Sequence, residues 1–421
     1  MRNLMTQSFA TAVRAAFLSA VLVAVGSIAL QSVASAADEK KPMVSKELAK
    51  PLKAAQEALA AKKFADALVK LKEADANPKK TPYDQHIINE LSGFAYVRLN
   101  NYAEAVKALE AGLNDGFLDQ GDVANRVKTL AQVNYQLKNY DKAIEFGNRA
   151  IKSGTADDEM MTLVGQAYYL KGDWKGTQKF EDNLIEQQVK AGKTPKSETL
   201  QIALSACVKL NDADCTTKQL ERLVTYYPKT EYWAQLLATL HNERQTSDRA
   251  TMQLYRLMLE VDVLKEPNDF NEMAQLAIEQ GSPGEAQHVL EKGFEKNVFT
   301  DARQQDKNKR LLETAKKAAA TDLAILAKVQ QDADAAPTGD KNVGVGLAYL
   351  GYQQYDKAAD NLSKGLGKGG VKNEAEARLL LGIAQLKGGH KDEAVKAFKA
   401  VKGDPNLERL ANLWTLHARQ A

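Results

Sequence analysis

Residues able to do chemistry are few in this chain and lie far apart. Its only two cysteines, Cys207 and Cys215, are eight residues apart in a 421-residue sequence. They flank Leu210-Asn211-Asp212-Ala213-Asp214, which reads as a turn between two helices. Either they bond and staple that hairpin or they are two buried thiols. Spacing leaves both open, since a bond needs Cα atoms within about 7 Å. No histidine lies within twenty residues of either, so a metal site is not expected there. Gly365-Leu366-Gly367-Lys368-Gly369-Gly370 has the composition of a phosphate cradle, but it follows a helical pattern and lacks the Lys-Ser/Thr ending. It reads as a helix exit. Paired acids, Asp157-Asp158 and Asp332 with Asp334, sit at helix ends, where carboxylates cap backbone N–H groups. The histidines at 86, 241, 288, 390 and 417 fall in separate segments and read as surface or helix-end residues. No H-E-x-x-H, P-loop, strand-borne dinucleotide motif or G-x-S-x-G elbow occurs. Neither a catalytic residue nor a cofactor is expected, and the chain reads as a non-enzyme.

What remains is surface, and so the elements that would present one. With 44% hydrophobic residues the chain can bury a large core, as two or three globular units or one extended array. Lys and Arg (57) nearly balance Asp and Glu (54), so no nucleic-acid footprint is expected. Ten prolines and abundant Ala, Leu, Lys and Glu favour an all-helical chain.

Residues 1–36 stand outside the fold. Arg2 and Arg14 precede an uncharged apolar run, Ala15 to Leu30, and a polar stretch that ends Ala34-Ser35-Ala36. This order is that of a secretory signal peptide cleaved after Ala36. The competing reading is an uncleaved anchor, but the run falls short of the roughly 20 residues a span needs. Cleavage removes two arginines and no acid, so the charge falls from +3 to +1. The expected product has no membrane span and resides in a bacterial periplasm.

The organising pattern is clearest in residues 342–366. Gly346 and Tyr349 precede a polar turn, Gly351 to Gln354. Tyr355, Ala358, Leu362 and Gly365 follow. Small residues let two helix backbones approach, and the aromatics fill the space around them. Such a hairpin cannot bury its own apolar face, so further copies are required. They recur. Gly93, Tyr96, Tyr102, Ala105, Leu109 and Gly112 form one copy. Ala131, Tyr140, Ala143 and Ala150 form the next, followed by Gly165, Tyr168, Trp174 and Thr177. Phe64, Ala67, Leu71 and Ala74 precede them, and Gly382, Ala394, Phe398 and Val401 come last. Residues 267–297 keep Ala274, Ala286, Leu290 and Gly293. Residues 197–262 are diverged, retaining Ser205, Leu220, Val224, Trp233 and Leu237.

The pattern resembles the tetratricopeptide repeat, a helix-turn-helix unit of 34 residues, over most of residues 45–401. The resemblance implies an all-α, right-handed α-solenoid. The expected organisation is a signal peptide (1–36), an N-terminal array (37–300), a connecting helical segment (301–338), a C-terminal repeat pair (339–404) and a capping helix (405–421). The weakest joint is expected near 298–338. The segments Tyr226 to Trp233 (YYPKTEYW) and Leu264 to Phe270 (LKEPNDF), with the signal peptide, are also similar to exported repeat proteins associated with TonB-type uptake systems. Tyr227 and Trp233 are expected to be buried.

In this family the first helix of each unit lines a concave surface that holds extended or helical peptides. The resemblance therefore implies a partner groove, where residues not used in Gly/Ala packing face the ligand. These are Glu90, Phe94, Val97 and Arg98, then Asn125, Lys128, Gln132, Tyr135 and Gln136, then Thr162, Gln166 and Tyr169. Arg98, Asn125, Lys128, Gln132, Tyr135, Gln166 and Tyr169 are its core. Amides can bond a peptide backbone, Tyr supplies contact area at low entropy cost, and the two cations favour acidic groups. The corresponding C-terminal positions, Val343, Leu347, Leu350, Leu379, Ile383 and Leu386, are apolar. They bind an apolar helix or, as favoured, are covered by residues 301–336. The expected function is a periplasmic scaffold for a protein or peptide partner in envelope transport or assembly. The alternative is a repeat-built subunit of an envelope polysaccharide or outer-membrane assembly enzyme complex.

Overall fold

A computed structural model describes residues 42–242 and 247–420. The proposed signal peptide lies outside them. Twenty helices and no strand occur among the described residues. The first eight are α1 (Lys46–Ala60), α2 (Phe64–Asp75), α3 (Pro82–Arg98), α4 (Tyr102–Asn114), α5 (Gln120–Gln136), α6 (Tyr140–Lys152), α7 (Asp158–Lys171) and α8 (Trp174–Lys190). Then come α9 (Ser197–Lys209), α10 (Ala213–Tyr226), α11 (Thr230–His241), α12 (Asp248–Glu260), α13 (Pro267–Glu279) and α14 (Pro283–Glu295). The chain ends with α15 (Ala302–Ala335), α16 (Asp340–Gly351), α17 (Tyr355–Lys368), α18 (Glu374–Lys387), α19 (Lys391–Lys399) and α20 (Pro405–Gln420).

Turn chemistry sets the hairpins. One residue in the left-handed region closes the first helix and stands two positions before the second begins. It is Lys62, Asn100, Lys138, Asn211 or Gln353 in five hairpins, at φ between 53° and 59°. Gly172, Gly281 and Gly389 fill the place in three others, at φ 80°, 76° and 85°. This conformation costs a side-chain-bearing residue about 1–2 kcal/mol. It is held by bonds that close the helix end, such as Asn101 N to Tyr96 O and Gln354 N to Tyr349 O, each 2.9 Å. Between hairpins, α3 starts on a capping box. The Thr81 hydroxyl accepts from Asp84 N, and Asp84 accepts from Thr81 N. Asp84 also accepts from Ser45 N at 2.9 Å, tying consecutive hairpins together. Burial pushes its carboxyl up, but these bonds outweigh it and hold the pKa below the usual range.

The small residues do what their spacing requires. A Cβ on Gly93 would stand 2.6 Å from Leu109 Cδ2, and one on Gly346 would stand 2.6 Å from Leu362 Cγ. Gly382 meets Phe398 in the same way. The partner in each case lies sixteen residues later, so one close approach is repeated along the chain.

Packing divides the chain into two compact units, one ending at Gln187 and one starting at Gln188. In the first, each substantial contact among the described residues joins neighbouring helices or helices next but one. The second unit is built differently. Here α20 packs on α19 and α18 and also on α12 and α10. Arg409 reaches Glu221 at 3.4 Å, and Gln420 Nε2 donates to Val224 O at 2.9 Å. Arg249 donates to Glu376 at 2.7 Å, and Lys387 meets Glu260 at 2.5 Å. The end of the chain thus closes back on helices about two hundred residues earlier.

Three expectations are corrected here. Residues 302–335 form one helix, and it is no loose joint: it packs on α13, α14 and α16. Only Asn308, Ala315, Ala319, Leu326 and Ala333 of this helix are buried, and Leu323, Ile325 and Val329 stay exposed. It covers one side of α16, through Tyr349 to Gln330 (2.6 Å) and Tyr352 to Asp322 (2.7 Å). It is not what covers Leu350 and Ile383. They face Leu259, Met273, Val289 and Trp414, from α12, α13, α14 and α20. The third correction concerns His86. It is 6% exposed and bonded to Asp115 at 2.9 Å, because Tyr83 and Phe117 pack around its ring. Cys207 and Cys215 are joined by a disulfide, with Cα atoms 5.5 Å apart, across the α9–α10 turn. Trp233 is 4% exposed, and Tyr227 is half-buried with its hydroxyl on Pro195 O.

Candidate partner-binding surface

The expected groove residues lie on the first helices of the hairpins in the first unit, α3, α5 and α7. Two contacts bring α5 and α7 together along that face. At one end Lys128 Nζ meets Asp157 Oδ2 at 2.9 Å. At the other the Tyr135 hydroxyl donates to Gln166 Oε1 at 3.0 Å. Gln132 lies between Lys128 and Tyr135 on α5 and is half-buried, while Asn125 is exposed. Tyr169 packs edge-on to Trp174, with ring centroids 5.2 Å apart.

Each side chain is held by its local setting. Asp157 is the N-cap of α7, accepting from Met160 N at 2.9 Å, and it receives Lys128 as well. Burial pushes its carboxyl up, but the Met160 amide and the Lys128 ammonium outweigh that and keep it low. It therefore stays ionised, and Lys128 is tethered rather than waving in water. Tyr135 stands edge-on to Tyr140 at 5.8 Å. Burial, with the nearby Tyr140, pushes its hydroxyl up to about 12, so it remains a hydrogen-bond donor at neutral pH. The surface offers an ammonium, a phenol, two amides and an aromatic edge, all fixed on rigid helices. Groups of these kinds can form hydrogen bonds and aromatic contacts, with one cation beside an acid.

Other residues fall elsewhere. Val97 is 6% exposed and belongs to the core beside Ala105, Leu109 and Val127, so it is removed from the surface set. Phe94 packs edge-on to Phe64 at 6.1 Å. Arg98 is exposed, with its guanidinium 5.4 Å above the Phe64 ring, at the turn end of α3. Glu90 pairs with the buried Arg126, which also bonds Leu109 O at 3.3 Å. That pair joins two hairpins and is structural. Asp157 was missed because its capping role was visible in the sequence and its Lys128 contact was not. Also missed was a depression of about 560 Å³ between α2, α3 and α4, lined among others by Val69, Lys72, Asn89 and Lys107. None of the expected groove residues lines it. Exposed Val69, at 56%, is the one signal in that helix that could have marked it. No group of three or more metal-ligating side chains occurs among the described residues. No described helix is long and apolar enough to cross a membrane.

Helix hairpins repeated around a small-residue contact define the class of protein, an all-α repeat array. Residues 376–406 match the family model of the tetratricopeptide repeat. The same hairpin is repeated before them, so the chain carries helix hairpins of the tetratricopeptide type. Residues 56–193 match the model of the RNPP family C-terminal domain. No curated protein sequence matches the chain. Among solved structures it is similar to a tetratricopeptide repeat protein from Parabacteroides merdae, at 13% identity and a TM-score of 0.30, covering 81% of this chain and 100% of that one. It is also similar to the C-terminal part of a repeat-containing protein from Cytophaga hutchinsonii, at 13% identity and a TM-score of 0.32, covering 63% and 97%. The yeast Sti1 TPR2AB domain in complex with pHSP90 matches at 16% identity and a TM-score of 0.24, covering 71% and 100%. Scores this low say nothing of partner or function. None of these matches bears on the similarity to uptake-associated repeat proteins.

Proposed function

We propose that the protein is an exported, non-enzymatic scaffold that holds a peptide segment of a partner along α5 and α7 in the first unit. The observation that carries the reading is the pair of cross-helix contacts, Lys128–Asp157 and Tyr135–Gln166, on one half-buried face. They fix polar groups in advance, which lowers the ordering cost of binding. An extended peptide would exchange bonds with the amides of Gln132 and Gln166 and lay an apolar residue against Tyr169 and Trp174. An acidic group near Lys128 would compete with Asp157 for the ammonium. Export to the periplasm rests on the order of residues 1–36 and agrees with a bonded cysteine pair, which persists in oxidising compartments. The envelope transport or assembly role belongs to the same proposal.

The test is capture of envelope proteins by the purified chain and by Gln132→Ala combined with Tyr135→Phe. The double variant keeps the Tyr135 ring in place and removes the hydroxyl and one amide. Retained helicity and melting with at least tenfold weaker capture of a partner identified on the native chain supports the groove. Unchanged capture rejects it.

A further inference from the structure

The closure of the second unit forms a cavity of about 110 Å³ whose lining includes the exposed His288 and Gln353. Five of its lining residues are aliphatic or thioether side chains, Leu259, Met273, Val289, Leu350 and Ile383. Polar groups are set among them, and their bonding is lopsided. Arg256, 6% exposed, donates through Nε and Nη2 to the two oxygens of Glu285, both at 2.7 Å. Its Nη1 is buried and has no partner among the described residues. Trp414, fully buried, likewise leaves its indole Nε1–H without one. Around the same cavity, His288 Nδ1 accepts from the Gln353 amide at 2.8 Å, which puts the ring hydrogen on Nε2. Lys292 makes no ion pair within 4 Å among the described residues, although its charge reaches Asp262, which Lys296 holds, whereas Lys387 is matched by Glu260. No lining side chain leaves a buried acceptor orphaned. The unmet demand is entirely for acceptors.

A buried donor without a partner costs about 1–3 kcal/mol, more when charged, so each such group calls for an explanation. The acids do not supply one. Glu285 is fully engaged by Arg256, and Glu260 is shared by Lys387 and His417. Of the charged lining residues, Arg256, Lys292 and Lys387 outnumber Glu260 and Glu285 by one. A ligand that answers both the charge and the orphaned donors is an anion with two acceptor oxygens. One that also uses the five apolar side chains carries a short hydrocarbon tail. We propose that this cavity binds a small aliphatic carboxylate. The carboxylate accepts from the surplus donors, and the tail lies among Leu350, Ile383 and Met273. The proposal is independent of the partner surface on α5 and α7.

The test is isothermal titration of the purified protein with sodium butyrate, butyramide and inorganic phosphate as separate probes. Butyrate is expected to bind saturably at one site, with a Kd of about 1 mM or tighter. Butyramide has the same shape without the charge and is expected to bind at least tenfold more weakly, as is phosphate, which has the charge without the tail. Trp414→Phe keeps the ring packing and deletes one donor. Lys292→Met removes the unmatched cation from a half-buried position. Each is expected to weaken butyrate about tenfold, the worth of one hydrogen bond to a charged group. Melting of both variants checks that the unit remains folded. No saturable heat with native protein up to about 10 mM butyrate, butyramide or phosphate binding as tight as butyrate, or full affinity in both variants overturns the assignment.

Discussion

Gln132 and Ile383 occupy the same register in their hairpins. Each follows the small residue of the close helix contact, Ala131 or Gly382. Gln132 is half-buried on a face that no distant helix covers among the described residues, and Ile383 is 2% exposed inside a closed unit. The same repeat geometry thus yields a face left uncovered among the described residues or a face used as core. The difference lies in chemical character at that register. Gln56, Phe94, Gln132 and Gln166 hold it in the first unit and Gln275 in the hairpin of α13 and α14, whereas Leu347 and Ile383 hold it in the last two hairpins. A polar face gains little by being covered. An apolar one must be, and in the second unit α20 and the helices before α15 do so.

The largest expected effect breaks the closure. Trp414 is fully buried, stacked 6.0 Å from Phe398 and edge-on to His417. Trp414→Ala is expected to cost about 3–5 kcal/mol. Hydrogen exchange resolved by peptide should show α10, α12 and α18 losing protection, with α3 to α6 unchanged. A loss spread evenly over both units would refute the division. Close behind comes Arg256→Met, which leaves Glu285 buried without its cation. It is expected to cost about 3–5 kcal/mol by denaturant unfolding.

One substitution in the first unit is expected to stabilise it. Glu181 stands where the other hairpins place Leu109, Leu362 or Phe398 against a small residue, and it packs on Gly165. It is 2% exposed, its Oε2 has no partner among the described residues, and burial pushes its carboxyl up to about 8. A carboxyl raised in the fold opposes folding increasingly as pH rises from its unfolded value, near 4.5, through about 8. Glu181→Leu should therefore stabilise the first unit by about 3 kcal/mol at pH 8 and by less at pH 5. An equal gain at both pH values would mean the carboxyl is not carrying the cost.

The second unit should respond to acid. Burial pushes Glu260 up, but His417 and Lys387 outweigh it and hold it at about 2. Its contribution is present above its unfolded value and is lost as pH falls from about 4.5 to about 2. Glu260→Gln should flatten that part of the stability profile. The smallest effect is at the turns. Lys138, at φ 59°, pays for a conformation that glycine adopts without strain. Lys138→Gly is expected to raise stability by about 0.5–1 kcal/mol by thermal melting.

Much of the fold was legible because its determinants are local. Gly93, Gly346 and Gly382, each with a large apolar residue sixteen positions later, encode a contact that needs no distant knowledge. The candidate surface was legible in part, since its register follows from that contact. Val97 was misplaced because the end of an inner helix turns toward the next hairpin. What could not be read were contacts set by long-range closure. Neither Arg249 with Glu376 nor Gln420 with Val224 leaves a periodic trace, since each pairs one residue with another more than a hundred positions away. The cavity exists only once those contacts form. Glu181 was passed over because a charged residue in a helical pattern reads as solvated.

The most direct test places a photo-crosslinking residue at Gln132 in one strain and at Leu386 in another, with the chain otherwise native. One partner band is expected from the α5 position, competed by a peptide of the identified partner, and none from α18. A partner captured equally from Leu386, or from neither position while the chain is shown to be folded, would contradict an uncovered face in the first unit and a second unit closed on itself.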